Sequence, residues 1–241
     1  QRPNIIDKPT PFKETLLLAE SSMFGSSIAD YRNNPGRTYV KSLFHAAYRR
    51  EVFDKVGFFN EDLVRTEDNE IHYRMREAGY KLCFDPDIIS YQYTRSSLKA
   101  MLKQKYANGF WIGKTSRVCP KCLSIYHFVP FAFVSAIIAS LLAITGMGSV
   151  DGLMDKCTER NGRKRYDRGV IKKLKNIVIT LTIVMWALYG TLACTMAAVS
   201  SIKAGSKRNI TNILLPVLFL MLHISYGAGT IMGLMDKRGR G

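Results

Sequence analysis

The composition of the chain favours an anionic partner. It has 241 residues, of which 47% are apolar, and 35 Lys and Arg against 19 Asp and Glu give a formal net charge of +16. Such an excess suits a nucleic acid or an anionic membrane surface. No nucleic-acid-reading motif is present, and the basic residues cluster beside long apolar runs, so the membrane is favoured. The five cysteines form no disulfide framework, which excludes a small cystine-rich scaffold.

The first 114 residues have the pattern of short helices and strands joined by loops. Thr10 followed by Pro11 is a typical helix start, with a hydroxyl cap and then proline in the first turn. The order of elements predicts an α/β domain. Predicted helices cover 11–22, 49–56 and 66–79, predicted strands cover 38–44, 81–84 and 88–93, and a loop rich in Gly, Ser and Asn covers 25–36.

The predicted helix over residues 66–79 begins with a cluster of acids. Glu67, Asp68 and Glu70 lie in its first turn, where the helix dipole favours negative charge. We expect Asp68 to be exposed while Ile71 and Met75 anchor the helix behind it, and His72 to lie on the helix surface. By itself this turn fits either a helix cap or a pair of catalytic carboxylates.

A further helix is predicted to start at Ser96, and its two faces differ. Its apolar side would carry Leu98, Met101, Leu102, Tyr106 and Phe110, and its other side Lys99 and Lys103. This pattern is typical of a helix in a bilayer interface, and also fits an amphipathic helix packed on a soluble core.

Three long apolar segments follow, at about 125–147, 177–202 and 212–235. Each meets the requirement of about 20 residues for a membrane helix. The third contains Pro216 and several glycines, so it could be kinked or re-entrant. A basic loop is predicted at 148–175. A single crossing by the first segment would place that loop outside, against the positive-inside tendency, and the alternative is a segment that dips in and returns.

The order of several motifs resembles the family-2 inverting glycosyltransferases of GT-A fold. The runs from Phe44 to Asp62 and over 66–79 carry most of this resemblance, which is strongest to bacterial exopolysaccharide enzymes of the succinoglycan glucosyltransferase type. It continues through 91–98 and 104–111 and returns in the sequence His-Ile-Ser-Tyr-Gly-Ala-Gly at 223–229. Residues 1–114 and the last apolar segment are covered well, and 148–175 hardly at all.

The resemblance implies the roles of particular residues. Asp68 matches the family's general base, and Glu67 is the neighbour that supports it. Substrate-binding roles are implied for Glu70, Arg95, Gln104 and Trp111. The sequence after Gln104 is Lys-Tyr-Ala-Asn, so the Gln-x-x-Arg-Trp element of processive members is not intact. This departure argues against a processive synthase.

The resemblance also implies a divalent metal, Mg or Mn, in the full-length enzyme, with ligands upstream of this chain. Asp85-Pro-Asp87 matches the family's Asp-x-Asp metal motif, but it follows the base rather than preceding it. Because proline is favoured in turns, we predict a turn there. Cys119-Pro-Lys-Cys122 lacks the second pair of ligands that a zinc site needs. No metal ligand is therefore assigned within this chain.

Together these features predict the C-terminal part of a GT-A glycosyltransferase domain over 1–114, including the interfacial helix, and a membrane domain over 115–241. The expected donor is a nucleotide-sugar, a UDP-sugar in particular, and the expected acceptor is a lipid-linked oligosaccharide. No nucleic acid is expected as a partner. The expected location is the cell membrane, with several crossings and the catalytic part on the cytoplasmic face. The alternative is a non-catalytic membrane scaffold or anionic-lipid-binding protein, in which the acidic turn only caps a helix.

Overall fold

The structure is a computed structural model that describes residues 3–25, 36–161, 168–205 and 208–236. Within these ranges the chain forms four short strands and seven α-helices. In chain order they are β1 Asn4–Ile5, α1 Pro11–Ser21, β2 Thr38–Val40, α2 Arg50–Val56, α3 Glu67–Glu77, β3 Leu82–Phe84, β4 Gln92–Tyr93, α4 Leu98–Val118, α5 Val129–Asn161, α6 Arg168–Lys203 and α7 Leu215–Met235.

The strands form two small sheets. β2 pairs antiparallel with β3, with Thr38 opposite Phe84 and Val40 opposite Leu82, and β1 pairs parallel with β4. The predicted α/β character is confirmed, but the strands are shorter than predicted.

The α2, α3 and β2–β3 elements enclose a small apolar core. Ile71 and Met75 project from α3 into it and are almost completely buried, as their spacing predicts. Gly57 ends α2 with a φ of +79°, a conformation that glycine adopts without steric cost. This core fixes the first turn of α3, which carries the acidic residues.

The helix α4 differs from its prediction at its start and in its faces. Its cap is Ser97 rather than Ser96, because the Ser97 hydroxyl accepts a hydrogen bond from the Ala100 amide at 3.3 Å. Met101 is completely buried, whereas Tyr106 is exposed. The helix also runs on to Val118, beyond the boundary that we expected near residue 114.

Three helical stretches are long and apolar enough to cross a membrane: Ile125–Ser149, Gly169–Lys203 and Ile210–Met235. They contain the three predicted apolar segments. The prediction of a loop over 148–175 is wrong for 148–161 and 168–175, since α5 continues to Asn161 and α6 begins at Arg168. The segment contains no proline, so nothing in it forces either helix to end early. Residues 162–167 lie outside the described residues.

The helix α7 is continuous, so no kink arises at Pro216. This residue lies in the first turn of α7, where a missing amide hydrogen removes no helical hydrogen bond. In the most apolar 18 residues of the last stretch 39% are buried, compared with 6% in each of the first two. Its burial comes mainly from α4, with further contacts to α1, α5 and α6.

Candidate active site

The acidic residues occupy the first turn of α3, as predicted. Thr66 precedes the helix, and Glu67 and Asp68 are its first two residues. Asp68 is half-buried rather than exposed, because it lies on the same helix face as Ile71, His72 and Met75. One of its carboxylate oxygens accepts a hydrogen bond from the Asn69 amide at 2.8 Å. The carboxylate therefore sits at the edge of the core, not on the outer surface.

Two side-chain hydrogen bonds join this turn to α4. The hydroxyl oxygens of Thr66 and Thr115 lie 2.5 Å apart, and Arg65 donates to the side-chain oxygen of Asn108 at 2.6 Å. Thr66 has a φ of +66°, a left-handed conformation that a β-branched residue rarely adopts and that costs about 1–3 kcal/mol. The bonds to α4 help to hold this strained residue in place, so α4 sets the position of the acidic turn.

A buried histidine lies behind Asp68. Contrary to the prediction of a surface position, His72 is completely buried. Its Nε2 lies 2.6 Å from the Tyr48 hydroxyl and its Nδ1 lies 3.1 Å from the Ser42 hydroxyl. Burial lowers the pKa of His72 to about 4, so the ring is neutral near pH 7.

Tyr48 connects this histidine to the acids. The pKa of Tyr48 is raised to about 12, mainly by burial and further by the nearby carboxylates of Asp68 and Glu67. The phenol therefore stays protonated beside the two acids. Tyr48 was not predicted as a site residue, and His72 was predicted to lie on the helix surface. The available signal was helical spacing, which puts His72 on the same face as Ile71 and Met75.

Glu67 has an unusual environment for a charged side chain. One of its carboxylate oxygens is buried and has no hydrogen-bond partner within the part of the chain that the structure describes. Leaving a buried acceptor unpaired is costly, and native proteins rarely do so. This oxygen of Glu67 is therefore able to accept a hydrogen bond from water or from a ligand.

The other predicted site residues fall into separate places. Glu70 is buried, and both its oxygens accept hydrogen bonds from Arg74, at 2.7 and 2.9 Å. Arg74 in turn donates to the backbone carbonyls of Val56 and Phe58. Glu70 thus lies on the opposite side of α3 from Asp68 and ties α3 to the end of α2.

Arg95 and Gln104 are brought together by the start of α4. The Arg95 guanidinium donates to the Gln104 side-chain oxygen at 3.3 Å, and Arg95 is exposed. Trp111 lies two turns further along α4, where the Lys114 ammonium is 5.4 Å from the centre of its ring. The pairing of Arg95 with Gln104 leaves the remaining guanidinium donors available to an anionic ligand.

The described residues do not offer a metal site. No group of three or more His, Cys, Asp or Glu side chains converges within them. The prediction of a turn at 85–87 is confirmed by hydrogen bonds from the Ile88 amide to the Asp85 carbonyl and from the Asp87 amide to the Asp85 carboxylate. Asp85 also pairs with Arg37 at 3.6 Å. Burial and the neighbouring Cys119 raise the pKa of the Cys122 thiol, which disfavours the thiolate that metals require.

A cavity of about 570 Å³ lies beside the buried histidine network. It is lined by residues of the segments 39–52 and 75–90, among them Tyr48, Glu51 and Met75. Asp68 is not part of its lining. Tyr48 therefore lines the cavity and is also close enough to Asp68 and Glu67 to feel their charge.

Comparison with known proteins identifies relatives of the chain. It is 24% identical over 139 residues to the succinoglycan biosynthesis protein ExoA of Rhizobium meliloti (strain 1021), which covers 58% of this chain and 42% of that protein. It is 30% identical over 89 residues, 37% of this chain and 26% of the relative, to a dolichyl N-acetyl-alpha-D-glucosaminyl phosphate 3-beta-D-2,3-diacetamido-2,3-dideoxy-beta-D-glucuronosyltransferase of Methanococcus voltae. It is 40% identical over 55 residues, 23% of this chain and 18% of the relative, to the O-antigen chain rhamnosyltransferase WbaN of Salmonella anatum.

These matches span less than half of the length of each relative. No solved structure gives a significant match. The family model described as glycosyl transferase family group 2 matches residues 22–232, which is most of the chain. That match fits the α/β segment with its acidic turn, followed by helices capable of crossing a membrane. The chain therefore belongs to glycosyl transferase family group 2.

Proposed function

We propose that this chain is part of a membrane-bound inverting glycosyltransferase. In this proposal the enzyme transfers a sugar from a nucleotide-sugar, a UDP-sugar in particular, to a lipid-linked oligosaccharide during surface polysaccharide assembly. Family membership supports the reaction class. The relative from Methanococcus voltae is named for a dolichyl phosphate-linked sugar, which supports a lipid-linked acceptor, and the succinoglycan and O-antigen relatives support surface polysaccharide assembly.

The observation that carries the proposal is the acidic turn. Asp68 and the buried, unpaired oxygen of Glu67 lie side by side in the first turn of α3, held by Thr66 and Thr115. In the proposed reaction the Asp68 carboxylate accepts the proton of the acceptor hydroxyl as the oxygen attacks the anomeric carbon from the face opposite the leaving group. Glu67 orients Asp68 or the incoming hydroxyl. The result is inversion at the anomeric carbon.

The leaving nucleoside diphosphate carries negative charge that must be neutralised. We assign this task to Arg95, with Gln104 as the residue that orients its guanidinium at 3.3 Å. The ring of Trp111 is assigned to contact with the sugar or acceptor. Glu70, engaged by Arg74, acts in this proposal by holding α3 in position rather than by contacting substrate.

A divalent metal would supply further charge neutralisation at the diphosphate. The described residues do not fit such an ion, since no three of their acidic, histidine or cysteine side chains converge. We therefore propose that its ligands lie outside the described residues. The proposed location of the catalytic part is the cytoplasmic face of the cell membrane, with the three apolar helices as anchor.

The test is replacement of the proposed base in the full-length enzyme. Asp68→Asn should abolish transfer of radiolabelled sugar to membrane lipid acceptors, a loss of about 10³-fold or more, while donor binding by calorimetry stays within about twofold. The matched control is Asp62→Asn, an exposed acid in the loop before α3 that should leave transfer unchanged.

Full activity of Asp68→Asn would remove this residue from the mechanism. If the wild-type full-length protein transfers no sugar from any nucleotide-sugar under conditions where its fold is intact, the chain is a membrane scaffold and the acidic turn is only a helix cap.

A further inference from the structure

The helix α7 is attached at both ends to helices of the α/β segment. In the short 3-10 helix Ile210–Leu214, directly before α7, the side-chain oxygen of Asn212 accepts a hydrogen bond from the Thr15 hydroxyl of α1 at 2.9 Å. At the end of α7, Arg117 of α4 donates to the backbone carbonyl of Asp236 at 2.9 Å. A helix of 21 residues is about 30 Å long. The α/β segment therefore accompanies α7 along its whole length.

Between these ends α7 packs directly against the backbone of α4. The Ser225 hydroxyl donates to the Leu102 carbonyl at 2.8 Å. A methyl group on Gly229 would overlap the carbonyl of Tyr106, and one on Gly233 would overlap that of Phe110. The residue numbers of the contacting pairs increase in the same direction along both helices, so α4 and α7 run parallel. Small residues let the backbones approach this closely, which makes α4 and α7 one rigid unit.

The helix α4 cannot enter the hydrocarbon core of a bilayer. Its exposed cations Lys99, Lys103 and Arg117 lie in its first two turns and its last turn, where they can reach headgroups. Near its middle, however, Asn108 binds Arg65 and Lys105 lies 3.1 Å from Glu20 of α1. These charged side chains would have to enter the hydrocarbon together with α4, at a cost of several kcal/mol each. Because α7 is fixed to α4, it cannot cross the bilayer either, although its length and hydropathy would allow it.

The exposed side of α7 is nevertheless entirely apolar. Its exposed residues recur at helical spacing along one face, and the opposite face holds Leu215, Phe219 and Leu222 in the core. We name this exposed face the α7 stripe. It consists of Val217, Ile224, Met232 and Met235 on α7, together with Ile210, Ile213 and Leu214 in the short 3-10 helix that precedes α7.

The exposed side of α4 is basic and aromatic, with Lys99, Lys103, Tyr106 and Arg117. Successive residues of a helix are turned by about 100°. With the axes parallel, this rotation puts the basic face of α4 and the α7 stripe on the same side of the plane through the two axes. The contacts that Asn108 and Thr115 make to the acidic turn fall on the other side.

We propose that α4 and α7 form a membrane-docking surface and that α7 lies in the plane of the bilayer interface without crossing it. The occupant of the surface is the bilayer itself. The α7 stripe enters the boundary between headgroups and acyl chains, and the basic face of α4 contacts anionic headgroups. The candidate crossings are then the two helices α5 and α6, and the α/β segment and the end of α7 share one side of the membrane.

The test measures depth directly. Full-length protein without native cysteines is labelled with a fluorophore at one introduced cysteine, Ile213→Cys, Ile224→Cys or Met235→Cys, and placed in lipid vesicles. Lipids with quenchers at two acyl positions report the depth of each label. All three sites should lie at the same shallow depth, about 5–10 Å below the headgroup boundary. The control Leu142→Cys, at an exposed position of α5, should lie deeper.

Two results would overturn the proposal. A label at 224 near the bilayer centre, with those at 213 and 235 near opposite surfaces, would show that α7 crosses. No quenching at any of the three sites would show that protein, such as a second copy of the chain, covers the stripe. Neither outcome depends on catalysis, so both are distinct from a failure of the role proposed for Asp68.

A second arm tests the basic face with a label at Tyr106→Cys. Phosphatidylglycerol that carries a quencher should be enriched near this label by about fivefold for each lysine that binds an anionic headgroup. The reference is the quenching by phosphatidylcholine that carries the same quencher. The added changes Lys99→Gln and Lys103→Gln should remove the preference. Equal quenching by both lipids in the parent protein would contradict the assignment of anionic headgroups to α4.

Discussion

The hydroxyl oxygens of Thr66 and Thr115 lie 2.5 Å apart and connect the acidic turn of α3 to α4. Thr115 is completely buried, and Thr66 has the left-handed backbone conformation described above. The bond from Arg65 to Asn108 reinforces the same junction. A helix with an exposed basic face is thereby linked to the carboxylates proposed for catalysis, and the position of one depends on the position of the other.

Replacing Thr115 by valine should therefore weaken catalysis without touching substrate. Valine keeps the shape of the side chain but removes the hydroxyl that pairs with Thr66, so the acidic turn can shift. We expect kcat in the full-length enzyme to fall about tenfold or more, with KM for the donor nearly unchanged. Thr115→Ser restores the hydroxyl and should keep most of the activity. An unchanged kcat in Thr115→Val would show that this contact does not position the turn.

Arg95 and Gln104 should behave as one unit in mutant kinetics. Arg95→Ala removes a cation proposed to neutralise the leaving diphosphate and should lower kcat/KM about 10²-fold. If Gln104 acts only by orienting Arg95, then the double variant with Gln104→Ala should be no worse than Arg95→Ala alone. Arg49→Ala, at another exposed arginine, is the control and should be silent. Strictly additive effects of the pair would contradict a shared role.

The buried His72 should make the stability of the protein depend on pH. Its pKa is about 4 in the folded state and 6.5 when unfolded, so the unfolded chain binds more protons between these values. The contribution of neutral His72 to the free energy of unfolding is fully present above pH 6.5. It is lost as the pH falls toward 4, and the loss is about 3 kcal/mol at most. The measurement is the thermal unfolding midpoint of the full-length protein in detergent between pH 7 and pH 4.

The variant His72→Gln isolates this contribution. It keeps a polar group near Tyr48 and Ser42 but does not titrate, so its unfolding midpoint should fall less steeply below pH 6.5. A pH profile parallel to that of the wild type would assign the acid sensitivity to other groups.

Glycine substitutions in the helices should have opposite effects, depending on what surrounds each glycine. A methyl group at Gly229 would overlap the carbonyl of Tyr106, whereas nothing lies within 4 Å of one at Gly190 in α6. Gly229→Ala should force α4 and α7 apart and lower the free energy of unfolding by about 2 kcal/mol or more. Gly190→Ala should leave it unchanged or raise it by up to about 1 kcal/mol, because alanine favours the helix. Equal effects would mean that the α4–α7 contact is looser than described.

Local patterns predicted much of the α/β segment. Three local features were predicted correctly, because each depends on neighbouring residues. They are the helix start at Thr10 and Pro11, the acidic first turn before Ile71 and Met75, and the proline turn at 85–87. The position of His72 was predicted wrongly. Helical spacing put it on the buried face, but a polar residue becomes tolerable there only when distant partners such as Tyr48 and Ser42 satisfy it.

The sequence by itself determined the family-like order of motifs, the acids at the start of α3 and the presence of three long apolar helices. Periodicity, capping and hydropathy are properties of short stretches of chain and can be read there. Only the tertiary structure decided what surrounds them. It sets the hydrogen bond between Thr115 and Thr66, the pairing of Glu70 with Arg74, and the packing of α7 on α4. These depend on contacts between residues far apart in the chain, and hydropathy does not record whether an apolar helix is covered by lipid or by another helix.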